Sequence, residues 1–121
     1  MNANVASSMI KGIKLFEDMD KLEKKFYTTL EEKNIKIESY NDIERIEVLF
    51  NKTLKEILQD IKKSSFDNEE KKILEIRVIL DMHGRFAEKF NLDPMMVPQY
   101  LGQYNIDIFN KAVEDFKQLS F

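Results

Sequence analysis

The side chains able to do chemistry are few. Among 121 residues there is one histidine, His83, and no cysteine. A thiol nucleophile, a disulfide and a thiolate metal site are thereby excluded. So is any site built on two histidines, H-E-x-x-H zinc sites and paired E-x-x-H di-iron bundles among them. The three glycines, Gly12, Gly84 and Gly102, fit neither G-x-G-x-x-G nor G-x-x-x-x-G-K-[ST]. Glycine-rich phosphate loops are absent.

His83 sits on an apolar helical stripe, between Leu80 and the pair Phe86-Ala87. A lone histidine in that setting is expected to be partly buried and to hold one hydrogen bond. Gly84 beside it is expected to admit a closely packed neighbouring backbone. Arg77 precedes His83 with five residues between them. That R-x5-H spacing resembles the arginine–histidine motif of the HEPN-type all-helical ribonucleases. The resemblance implies a dimeric ribonuclease in which Arg77 and His83 act on RNA across an interface. It covers two residues, and Val78 stands where the family usually carries a polar side chain. Six residues at about 100° each also set the two side chains about 120° apart around a helix. Arg77, Asp81 and Arg85, at i, i+4 and i+8, predict instead a surface ion ladder with Glu88 close by.

Carboxylates are plentiful. Glu17, Asp18, Asp20 and Glu23 fall in one run, and Glu44 and Glu47 form an E-x-x-E pair. All-helical nucleotide pyrophosphatases hold magnesium with such pairs, but they need a second pair on a facing helix, which the His83 helix does not offer. Lysines interleave with these acids, so solvated helix faces are expected, with no metal and no cofactor.

Charged residues make up 34% of the chain, 19 basic against 22 acidic, for a net charge of −3. Divided at Tyr40, Phe66 and Asn91, no segment is net positive, so nucleic-acid binding is not expected. The first ten residues carry neither a positive side chain nor a long apolar block, so no signal peptide is expected. The longest uncharged stretch, Pro94 to Ile106, has 13 residues interrupted by Pro98, too few to span a membrane. A cytoplasmic location is expected.

The elements that must position these residues are helices. Leu, Ile, Val and Phe number 11, 13, 5 and 9, enough for a core, and they recur at helical spacing nearly throughout. Residues 1–121 therefore read as a single all-α domain, a bundle of three long helices, a short Pro-containing turn and a C-terminal helix. The first helix runs from about Asn4 to Lys33, with Asn34 suited to a left-handed end. The second starts at Asn41 as cap, with Glu44 completing a capping box. Its apolar face includes Ile46, Phe50, Leu54, Ile57 and Ile61. Asp67 with Glu70 opens the third by the same device, and Ile73, Ile76, Leu80, His83, Ala87 and Phe90 face inward. Asp93 and Pro94 start the short turn. Asn105 caps the last helix, whose inner face is Ile106, Phe109, Val113, Phe116 and Leu119.

Thirty helical residues extend about 45 Å, more than the diameter of about 35 Å expected of a compact domain this size. The first helix must break, fray near Ser7-Ser8 and Gly12, or project. A projecting stripe of Val5, Met9, Ile13 and Phe16 would be covered most simply by a second copy, so a homodimer is expected. Met95, Met96, Val97, Tyr100, Leu101 and Tyr104 form an uncharged, adaptable run suited to a partner surface. Core closure at the end of the bundle is the competing reading. Composition and pattern point to a non-enzymatic protein-interaction module: an adaptor, chaperone-like subunit, inhibitor or regulatory subunit. The alternatives are the Arg77–His83 ribonuclease and a small-ligand sensor lined by Phe86, Phe90 and Tyr100.

Overall fold

The computed structural model describes the backbone of residues 3–119 and the side chains of residues 12–119. Val5 and Met9 of the expected dimer stripe lie outside the described side chains. Five α-helices carry the chain: α1 (Ala3–Glu32), α2 (Ile43–Lys63), α3 (Asn68–Phe90), α4 (Val97–Leu101) and α5 (Gln103–Leu119). Turns of 3-10 helix precede α2 and α4, at Tyr40–Asp42 and Pro94–Met96. No strand occurs among the described residues, and the fold is an all-α bundle.

α2 is the central helix. Ile46, Phe50, Leu54, Ile57 and Ile61 recur every three or four residues, and each is at most 1% exposed. Full burial of side chains of this size stabilises by about 2 kcal/mol each before entropy is counted. α1 packs on one flank of α2 and α3 on the other, while α5 packs against α3. Phe26, Phe50 and Phe86 meet at ring separations of 5.6 to 6.3 Å, joining the three long helices at one level of the core. α3 buries a face wider than one stripe, because α2, α4 and α5 all contact it. Val78 and Met82 are therefore buried in addition to Ile76, Ile79, His83, Phe86 and Ala87. Ile73, expected inside, is 44% exposed.

The helix ends follow local chemistry. Asn34 and Asn91 both take φ of 54°, the left-handed conformation asparagine tolerates best after glycine. Asp67 accepts a hydrogen bond from the Glu70 amide at 2.8 Å and Asp93 from the Met95 amide at 2.9 Å. Asn41, however, is not a cap. The 3-10 turn runs directly into α2, and Asp42 accepts instead from the Lys36 amide at 2.9 Å and pairs with Arg45 at 3.3 Å, tying down the loop after α1. Nor does Asn105 cap α5, which begins two residues earlier at Gln103. Gly102, with φ of 105°, makes the sharp join between α4 and α5. A Cβ there would lie 2.5 Å from a carboxylate oxygen of Glu47. Gly84 makes no close contact: a Cβ there would meet nothing within 4 Å.

α1 is unbroken from Ala3 to Glu32 and projects. The Phe26–Phe50 contact sets its register against α2, and Gly12 lies level with the turn that follows α2, its Cβ position 3.5 Å from the Phe66 ring. Ala3 to Lys11 thus extends past the end of α2 by about 13 Å at the ordinary helical rise.

Candidate functional site

Among the described residues the buried polar side chains are His83 and Asn105, and they form a cluster centred on His83, which is 0% exposed. Its Nδ1 stands 2.7 Å from the Ile79 carbonyl oxygen one turn back. A carbonyl only accepts, so Nδ1 carries a proton. Its Nε2 lies 3.0 Å from Oδ1 of Asn105, also fully buried, on α5. Asn105 Nδ2 in turn donates to Asn51 Oδ1 on α2 at 2.7 Å and to the Leu101 carbonyl at 3.4 Å. Phe50 and Phe109 pack edge-on to the imidazole at 5.1 and 5.2 Å.

This orientation gives the ring two acceptors, which suits an imidazolium. Burial acts the other way and lowers the His83 pKa, a shift only partly offset by the hydrogen bonds to Ile79 and Asn105. A half-turn of the Asn105 and Asn51 amides resolves the conflict. Asn105 Nδ2 then donates to a neutral Nε2, and Asn51 Nδ2 donates to Asn105 Oδ1. The cluster thus has one hydrogen-bond pattern for each charge state of His83, the neutral one giving up the 3.4 Å bond from Asn105 to the Leu101 carbonyl. It binds three helices together; His83 and Asn105 are fully buried, and Asn51 is partly buried.

Arg77 does not reach His83. It lies on the exposed side of α3, paired with Asp81 at 3.6 Å, and Asp81 is 3.9 Å from Arg85. The expected ladder is present, and Arg85 extends it across to α1 with a two-pronged bond to Glu23, at 2.6 and 2.8 Å. That bond raises the Arg85 pKa further, and burial, reinforced by Glu23, raises that of the neighbouring Tyr27. Asp20 pairs with Lys24 at 3.0 Å. No cluster of three or more metal-ligating side chains occurs among the described residues. Phe86, Phe90 and Tyr100 fill the space between them with their own rings, Phe86 lying 4.9 Å from Phe90 and 6.1 Å from Tyr100. No described helix is long and apolar enough to cross a membrane.

The run from Met95 to Tyr104 divides. Val97 and Leu101 are fully buried on the inner side of α4 and act in packing, so they are not available to a partner. Tyr100 is half-buried and donates its hydroxyl to the Ile37 carbonyl at 2.8 Å, and Tyr104 is half-buried beneath the Lys55 ammonium, 4.7 Å away. Met95 and Met96 alone stand clear, 70% and 54% exposed.

Among the grooves formed by the described residues, two run between helices that flank a shared neighbour. One, of 570 Å³, lies between α1 and α3 with Ile57 of α2 at its floor and Phe16, Met19, Leu74 and Met82 along its walls. Phe16 is 48% exposed at its mouth, and Ile13, one turn towards the projecting end, is 58% exposed. The other, of 610 Å³, lies between α2 and α5 with α3 beneath. The sequence reading missed both grooves, because each depends on which helices fail to touch. In comparisons with known proteins, no family model, no curated protein and no solved structure matches the chain.

Proposed function

We propose that the protein is a non-catalytic interaction module that works as a two-fold dimer, held by the projecting part of α1. The observation that carries this reading is the exposure of Ile13 and Phe16 where α1 leaves the bundle. Both belong to a helix whose backbone continues for about 13 Å beyond Gly12. The groove beside Phe16 runs along α1 from Phe16 to Tyr27, about 16 Å, close to the length that projects. The α1 of a second copy, laid antiparallel, would fill that groove while offering its own, a self-complementary arrangement that closes as a dimer. The exposed Met95–Met96 turn lies away from α1 in sequence and is left for a protein partner, where methionine adapts to the shape it meets.

Light scattering on the full chain tests the reading. The dimer should dissociate when Ile13 and Phe16 are both replaced by Glu, with helicity and melting otherwise kept. An unchanged mass after that double substitution would remove α1 as the interface.

The burial of His83 and its separation from Arg77 support the non-catalytic reading over the ribonuclease, since neither residue is presented to a substrate together with the other.

A further inference from the structure

We infer that the second groove, between α2 and α5, is a docking site for an acidic amphipathic helix of a protein partner. It shares no lining residue with the α1–α3 groove, so the inference is independent of the dimer. Its floor is apolar: Leu58 from α2, Ile76 and Ile79 from α3 and Ile108 from α5. Its rim carries Lys62, Lys71, Lys72 and Lys111 against only two carboxylates, Glu75 and Asp115. In a chain of net charge −3 this is a local reversal of sign.

The two acids do not neutralise the rim. Asp115 is engaged by Lys111 at 3.4 Å, and no acid among the described residues pairs with Lys72 or Lys62. Lys71 is held in place, its Nζ donating to the Lys62 carbonyl at 2.8 Å. Further along the groove Lys55 lies over the Tyr104 ring, adding a fifth cation beside the wall. Three of the lysines, Lys62, Lys71 and Lys72, cluster where α2 turns into α3, so the basic end and the apolar floor are adjacent.

That combination selects the occupant. A phosphate backbone would satisfy the lysines but leave Leu58 and Ile108, the part of the floor that the chain itself covers only partly, against water. A wholly apolar helix would cover the floor but gain nothing from the rim. A helix with an apolar row and flanking carboxylates does both, lying between α2 and α5 as helices pack into grooves. From Tyr104 to Asp115 the wall of α5 runs about 16 Å, three turns of such a helix.

Fluorescence anisotropy on the full chain provides the test. The probe is a synthetic four-turn peptide with Leu at i, i+3, i+4 and i+7 and Glu on both flanks; the control carries Lys in place of each Glu. The Glu peptide should bind saturably, and more weakly as salt rises, while the Lys peptide does not bind. Replacing Lys72 and Lys111 by Glu should weaken the Glu peptide on the order of tenfold. Both residues are solvent-exposed on helices, so the melt should be retained. If that double variant does not fold, Lys72→Gln alone should still give a measurable loss. Equal binding of the two peptides, no binding of either, or an unchanged affinity in the variants would overturn the inference. So would displacement of the Glu peptide by a single-stranded oligonucleotide, which would assign the lysines to phosphate. Ile13→Glu/Phe16→Glu should leave peptide binding intact, so failure of the dimer and failure of this site are told apart.

Discussion

His83 is enclosed by Phe50 and Phe109, and no carboxylate lies within hydrogen-bond reach of its ring. Its proton is therefore set by burial and by two amides. Folding lowers its pKa from 6.5, so the unfolded chain takes up the proton first as the solution is acidified. The stability contributed by the neutral ring is complete above about pH 6.5 and is lost as pH falls through that value towards the lower folded one. We predict that the melting temperature of the wild-type chain drops between about pH 7 and pH 5, and that His83→Gln flattens the drop. A parallel decline in both proteins would place the titrating group elsewhere. Asn105 is the other half of the cluster. Asn105→Ala leaves a buried ring nitrogen and the Asn51 amide short of a partner, and should cost about 2 kcal/mol in denaturant unfolding. The sequence announced His83 through its place on an apolar stripe. It did not announce Asn105, because a short polar residue near a helix start reads equally as a cap, and the Gly102 join that moves the start of α5 to Gln103 depends on contacts with Glu47.

At the scale of helices, legibility followed the width of the buried face. α2 shows one clean stripe because its apolar residues converge on one side, and its five core residues were all readable. α3 was read too narrowly, because its buried face extends past one stripe and takes in Val78 and Met82. α5 was misread in part: Phe109 does meet the buried His83 ring and Ala112, read as a point of close approach, is buried, but Asn105 is buried too and Phe116 and Leu119 are about half exposed. Small and polar side chains carry that inner face, so hydrophobicity alone pointed about one residue away. Gly84 offers a direct check on α3. It lies in the middle of a helix with open space around its Cβ position and no unusual φ, so Gly84→Ala should stabilise the protein by about 1 kcal/mol. A loss of stability would mean that something packs against that position. The bond between Arg85 and Glu23 joins α1 to α3 across the mouth of the first groove, and the Glu23 side chain is only 13% exposed. Arg85→Ala should cost about 1 to 2 kcal/mol, more than an ordinary surface pair, because the carboxylate it leaves is mostly out of water. A chemical-denaturation midpoint unchanged from wild type would show that Glu23 finds water instead.

Among the described residues the four longer helices are arranged so that α1 and α3 share α2, and α2 and α5 share α3. Two grooves follow from that arrangement, since the helices on either side of each shared one stand apart. The sequence established the helices and their order, because each rests on periodicity and length, and it left a break, fraying or projection open for the first. The grooves were not legible, since they are set by spacing between elements far apart in sequence. On this account the first groove and the projecting end of α1 complete each other in a second copy, and the second groove is left to a partner. The most direct test is the mass in solution, by light scattering over a wide range of concentration. The account predicts twice the chain mass of 14.4 kDa at the upper end, falling to a single chain on Ile13→Glu/Phe16→Glu. A wild-type chain that stays at the monomer mass throughout would contradict it.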